Sequence, residues 1–413
     1  MIQFSEFKLK NGLRVIHQAD FNTPLTVVCV LYYAGAKFDA KDKSGTAHLL
    51  EHLMFEGSQH IPNFDIPLQN AGGENNAFTN SDVACYYNIL PAENIETAFW
   101  LESDRMLGLR LNQKKFKVQQ KVVLEEFIET CTDEPFGDVW HHLRALAFPE
   151  NHPYSWPVLG KSPQHVKAIT LEDIESFYHT YYVPNNAILV VVGAISLSKT
   201  KSLTKKWFGE IARGEKIPKL KFPKGKRKKN VPKILESPVS VEMLYMAFKI
   251  YPHAHPQYLV PDIISDLLAG SKSALLVQKL VEEKSVFSNI DVFTTDEMGE
   301  GLLVIEAKLQ ATTTLVQARE AIWQQLSDFK VKGTSPEALA KVIRKNEADI
   351  CFSDAQILHR SINLANYKIS GNAQDINTEI ARYRQISTAD IVQVAKDIFV
   401  SENESTVAYQ LEK

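Results

Sequence analysis

Two histidines and a glutamate within five residues carry the first chemical signal of this chain. The stretch Ser44 to Glu56, SGTAHLLEHLMFE, holds them in the order H-x-x-E-H, as His48, Glu51 and His52. Read at helical period, Leu49, Leu50, Leu53 and Met54 form one stripe, and His48, Glu51, His52 and Phe55 form another. Side chains four apart on a helix lie one above the other, separated by about one 5.4 Å pitch, so two neutral imidazoles can converge on a single divalent ion. The glutamate projects beside them, where a carboxylate can take a proton from a water that zinc polarises. A solvated helix face is the bland alternative. The LLxxLM stripe argues against it, because a helix buried along one side can line a cleft with the other.

A zinc hydrolase needs a third protein ligand and an open fourth position. The segment Phe116 to Glu129, FKVQQKVVLEEFIE, reads as a helix with Val118, Val122, Leu124 and Phe127 apolar, and it offers Glu125, Glu126 and Glu129. Glutamates on a surface helix are commonly just solvated, so spacing alone does not choose among the three. Between the two helices, Asn70 to Asn80 reads NAGGENNAFTN. Gly72 and Gly73 are ordinary turn chemistry. Asn76 to Thr79 is a short strand-like piece, and an exposed edge there could pair with an extended peptide backbone.

The rest of the chain has to position these groups. At 413 residues it suits two domains of about 200 residues each. Hydrophobic residues at 45%, charged residues at 23% and a net charge of -3 describe a globular protein without a basic field for nucleic acid or an anionic membrane. Apolar runs such as Ala187 to Val192 fall far short of the roughly twenty residues of a membrane helix, so no membrane span is expected. The N-terminal MIQFSEFKLKNGLRVIHQ reads as a strand hairpin turning at Asn11-Gly12, with no signal-peptide pattern, and cytoplasmic residence is the expectation. Cys29, Cys85, Cys131 and Cys351 are widely spaced and contain no C-x-x-C pair, which suits reduced, mostly buried thiols. Residues 24 to 34, PLTVVCVLYYA, read as a buried central strand, and Gly35 to Gly45 as a polar loop into the motif helix.

An internal repeat fixes the domain count. Thr170 to Ile195, TLEDIESFYHTYYVPNNAILVVVGAI, is an amphipathic helix, a turn and a strand, and the stretch from Ser387 repeats it. Asp173 and Asp390 are 217 positions apart, as are Val183 and Val400. Two copies of one α+β unit follow, covering 1–212 and 236–413 with a linker at 213–235. The linker carries three prolines and a lysine-arginine run. It reads as a solvated spacer rather than a nucleic-acid site, since no aromatic stacking platform accompanies the charge. The second copy of the motif helix falls near Pro261 to Leu276, which contains no histidine.

HLLEH followed by LMFEGS, the GGENNAFTN piece and the VVLEE run together resemble the pitrilysin family of inverted-motif zinc peptidases, in particular the small bacterial members similar to the mitochondrial processing peptidase. The resemblance implies two similar domains, each a mixed, largely antiparallel sheet packed with helices. It implies one Zn²⁺ per chain on His48, His52 and Glu126, with Glu125 as runner-up for the third ligand, and Glu51 as general base. It places Asn76, Ala77 and Phe78 on the substrate-pairing edge. Gln119 stands where the family has a glutamate seven residues before the ligand. In many members the second domain supplies an arginine and a tyrosine that hold the substrate carbonyl, and Val281 and Ser288 occupy those positions here. The expected function is therefore a zinc endopeptidase for extended or unstructured peptides, the metal-bearing subunit of a heterodimer whose homologous partner supplies the arginine and tyrosine. A non-catalytic peptide-binding or assembly subunit with a structural metal is the alternative. The sequence assigns no role to His60, His141, His142 or His152, and the last three read as core or surface histidines rather than ligands.

Overall fold

The computed structural model describes residues 1–220, 222–223, 231–237 and 239–412, so the lysine-arginine run of the expected linker lies outside the described residues. Contacts divide the chain into two units. The first comprises residues 1–129, 156–222 and 351–378; the second comprises residues 130–155, 223–350 and 379–413.

The first unit is built on six strands: β1 (Ser5–Lys8), β2 (Arg14–Ala19), β3 (Leu25–Tyr32), β4 (Glu74–Thr79), β5 (Ala84–Pro91) and β6 (Ala187–Gly193). Their order is β1-β2-β6-β3-β5-β4, with β2 and β6 parallel and every other pair antiparallel. The apolar runs that read as central strands are central: β6 is buried along its whole length and β3 in all but Leu25. A strand buried on both faces loses the polar alternation of a half-exposed one. The β1–β2 hairpin turns at Asn11-Gly12, where Gly12 takes φ +100°, a conformation in which a side chain is strained. β4, which carries Asn76, Ala77 and Phe78, lies at the sheet edge.

The second unit repeats the plan with β7 (Lys233–Ser237), β8 (Met243–Lys249), β9 (Phe287–Thr294), β10 (Leu302–Leu309) and β11 (Glu404–Leu411). The order β7-β11-β8-β10-β9, with β7 and β11 parallel, is that of β2-β6-β3-β5-β4. The repeat extends to single hydrogen bonds. The helices Leu171–Tyr181 and Thr388–Ile398 both begin in a capping box, Thr170 with Asp173 and Ser387 with Asp390. Asn186 Nδ2 donates to the carbonyls of Tyr33 (2.9 Å) and Tyr181 (2.8 Å), and Asn403 Nδ2 donates to those of Lys249 and Ile398 (both 2.9 Å). The counterpart of the motif helix is Val260–Ala269, which holds no histidine.

The expected boundaries at 212 and 236 follow the order of the chain, whereas the contacts exchange one helical segment in each direction. Val139, Leu143 and Ala147 of the helix Val139–Ala147 pack among Met243, Tyr245, Val407 and Tyr409 of the second sheet. The helix Ile357–Ser370 lies against β3 and β6 of the first sheet. It is pinned there by Arg360, which donates to Asp20 Oδ2 (3.0 Å) and Gln18 Oε1 (2.9 Å). Each helix hides an apolar stripe on a sheet face that its own half of the sequence does not build. Among the described residues, no helix is long and apolar enough to cross a membrane.

Candidate metal centre

The motif helix, Thr46–Leu53, owes its position to both its apolar stripe and its start. Leu49, Leu50, Leu53 and Met54 are at most 1% exposed. Gly45, the residue before the first turn, takes φ +99° and has no side chain with which to cap. Asp39 does it from a distance: its carboxylate accepts from the Gly45 amide (2.7 Å) and the Ala47 amide (2.9 Å), using groups that a helix start leaves unpaired. Burial pushes the Asp39 carboxyl up to about 7, against the opposing pull of these amides. The folded state then holds this proton more tightly than the unfolded chain, so the group's contribution is complete at low pH and is lost as pH rises through its folded value. Relative to Asp39→Asn, which does not titrate, the wild-type metal-free protein should therefore lose stability between about pH 4 and pH 7. Urea midpoints measured across that range test this, and parallel curves for the two proteins would contradict it.

Three donor atoms meet on the polar side of this helix. His48 Nε2 and His52 Nε2 are 3.3 Å apart, with their rings nearly perpendicular at 88°. Glu126 sets its carboxylate against both, one oxygen to each, Oε1 at 3.7 Å from His48 Nε2 and Oε2 at 3.4 Å from His52 Nε2. It arrives on the helix Gln113–Ile128, which Asn112 caps and whose Phe116, Gln120, Val123 and Phe127 are buried. Gln120 Nε2 fastens that helix to the carbonyls of Val166 (2.9 Å) and Ile169 (3.0 Å). Of the three glutamates the sequence offers on this segment, only Glu126 joins the histidines. Glu125 is exposed and pairs with Lys121 at 3.2 Å, and Glu129 opens the exposed π-helical turn Glu129–Asp133.

The donor set suits zinc. Ligand atoms about 2.0–2.1 Å from one ion at tetrahedral angles lie about 3.3–3.4 Å from each other, close to the spacing of these three. Burial lowers the His48 imidazole to about 4, so it stands neutral with a lone pair to give. Glu126 is held below its ordinary value by hydrogen bonding to His52, and the same contact raises His52. Gln119 hydrogen-bonds the His52 ring and donates from Nε2 to Glu56 Oε1 at 2.6 Å. The neutral amide thus tethers a ligand to a neighbouring carboxylate, a contact a glutamate at this position would turn into repulsion.

Glu51 projects from the same helix toward β4. Burial raises its carboxyl, and hydrogen bonding to Thr79, through the side chain more than the backbone, opposes that rise. Asn76, Ala77 and Phe78 stand opposite Tyr87, Tyr86 and Cys85 of β5, leaving the other side of β4 open at the sheet edge. Asn76 Oδ1 folds back on the exposed Ala77 amide at 2.8 Å. In the second unit, Val281 packs against the apolar core from the turn Val277–Glu283, and Ser288 is an exposed residue of β9. The four histidines to which the sequence assigns no role have local partners: His60 with Asp104 (2.6 Å), His142 with Asp138 (2.8 Å), His141 near Cys131 Sγ (3.9 Å) and His152 stacked on Phe148. Sequence reasoning missed Asp39 and Thr79. Thr79 directly follows the 76–78 edge and could have been drawn from it; nothing in the spacing of Asp39 marks it as a cap.

Comparison with known proteins bears on this geometry. Residues 14–160 match the family described as Insulinase (Peptidase family M16), and residues 168–346 match the Peptidase M16 inactive domain. The chain is 27% identical over 409 residues to the zinc protease PqqE of Helicobacter pylori, a match covering 97% of this chain and 91% of the relative. Over 208 residues it is 29% identical to a probable mitochondrial-processing peptidase subunit beta of Arabidopsis thaliana, covering 49% of this chain and 38% of that one. The crystal structure of a protease from Helicobacter pylori superposes with a TM-score of 0.93 at 26% identity, covering 99% of this chain and 100% of that one. The first match spans the H-x-x-E-H helix and Glu126, and the second runs from residue 168, late in the first half, into the repeated half that lacks them; on these grounds the chain belongs to the pitrilysin, or M16, family of zinc peptidases.

Proposed function

We propose that this chain is a zinc-dependent endopeptidase acting on extended or unstructured peptides, with one ion per chain held by His48, His52 and Glu126. The observation that carries this reading is the meeting of two imidazole nitrogens 3.3 Å apart with the Glu126 carboxylate, whose two oxygens lie 3.7 and 3.4 Å from them, beside the separate carboxyl of Glu51. When bound, zinc supplies Lewis acidity and makes hydroxide available near neutral pH. Glu51 accepts the proton of the attacking water on its carboxylate and returns it to the leaving amine. Thr79 steadies that carboxylate. The open side of β4 takes the peptide as an added strand, the Ala77 amide passing from Asn76 Oδ1 to a substrate carbonyl.

Val281 and Ser288 stand at the sequence positions where the family resemblance puts an arginine and a tyrosine, so a homologous partner subunit is proposed to supply those two groups. Cleavage of an unstructured peptide by the zinc-loaded chain should be feeble alone and rise by about 10²–10³-fold when the copurified partner is added. Full turnover by the chain alone would remove the partner from the mechanism. Tight zinc binding without cleavage in either preparation would favour the non-catalytic subunit instead.

A further inference from the structure

We propose that Cys29 and Cys85 form a disulfide site joining β3 to β5, closed when the chain folds in the presence of a small aliphatic disulfide. The two residues are 56 positions apart, with the H-x-x-E-H helix between them in the chain. The antiparallel register sets Cys29 opposite Tyr87 and Cys85 opposite Leu31, so the two cysteines share one face of the sheet on a diagonal. Their sulfurs are 3.2 Å apart and both residues are fully buried. A disulfide is about 2.03–2.05 Å long with its Cβ atoms about 3.5–4.5 Å apart, so closure asks the sulfurs to approach by about 1 Å and the diagonal pair of strand positions to shift toward each other. Cys131 is partly exposed, in the other unit, and Cys351 is exposed, so neither competes for this pairing.

The chemistry balances with one co-reactant. One cysteine thiolate attacks the small disulfide, forming a mixed disulfide and releasing one small thiol. The second cysteine attacks the protein sulfur of that mixed disulfide and releases the other small thiol, so the two electrons and two protons leave on the two small thiols. Because both sulfurs are shielded in the folded unit, exchange takes place during folding or in a local opening of β3 from β5, and the closed bond is shielded from reductants in turn. In a reducing compartment such as the cytoplasm the pair remains two thiols. Cys85 stands opposite Phe78, so the cross-link would anchor the strand from which the β4 edge hangs.

The test uses the full chain carrying Cys131→Ser and Cys351→Ser, refolded either with a mixture of oxidised and reduced glutathione or with reductant alone, then denatured, alkylated and weighed. Expression into a bacterial periplasm gives the same comparison without a refolding step. The expected oxidised sample takes up no alkylating group, weighs two hydrogens less than the reduced chain, and yields a single cross-linked peptide pair containing Cys29 and Cys85. Two alkyl groups on the chain after either oxidising route would overturn the proposal. Neither readout depends on zinc or on peptidase activity, so failure here is distinct from failure of the proposed function.

Discussion

Replacing Glu51 with glutamine is expected to lower peptide cleavage by about 10²–10⁴-fold, the span over which a positioned general acid-base contributes. Zinc content and peptide affinity are expected to stay near wild type, because Glu51 lies outside the His48–His52–Glu126 triangle and β4 is unchanged. Glutamine keeps an acceptor for the Thr79 amide, so the local fold is preserved while proton transfer is not. Kinetics on an unstructured peptide, paired with metal analysis of the same sample, separates the two effects. Retained turnover in Glu51→Gln would take the base role from this residue.

The second large effect discriminates between neighbours. Glu126→Gln should weaken zinc binding by more than about 100-fold, since even residues that merely support a ligand commonly cost 10–100-fold when replaced. Glu125→Gln should leave zinc affinity unchanged, because that side chain is exposed and engages Lys121 instead. Competition against a chelator of known affinity reads both variants. Equal losses, or a larger loss at residue 125, would reject the assignment of the third ligand.

What the sequence revealed and what it hid divide along a physical line. Relations within one helix or strand have a fixed period, so His48, Glu51 and His52 could be grouped from spacing alone, and β3 and β6 stood out as unbroken apolar runs. The repeat was legible for a similar reason: capping boxes and the Asn186 and Asn403 clasps are local devices that recur at a fixed interval. Relations between elements have no such period. Spacing left Glu125, Glu126 and Glu129 open, and only the family resemblance preferred Glu126, because the angle at which one helix faces another is set by distant anchors such as Gln120 on the Val166 carbonyl. Asp39 was invisible as a cap because the turn Ala36–Phe38 carries it back over the helix start. The exchanged helices were missed because an amphipathic stripe announces that it will be buried without saying on which sheet.

The central claim is that His48, His52 and Glu126 hold one zinc ion, and anomalous diffraction at the zinc absorption edge from crystals of the zinc-loaded protein tests it most directly. The predicted result is a single peak about 2.0–2.2 Å from His48 Nε2, His52 Nε2 and a Glu126 oxygen, with the Glu51 carboxylate beyond bonding distance. A peak elsewhere, or none at that triangle with zinc in excess, would contradict the account.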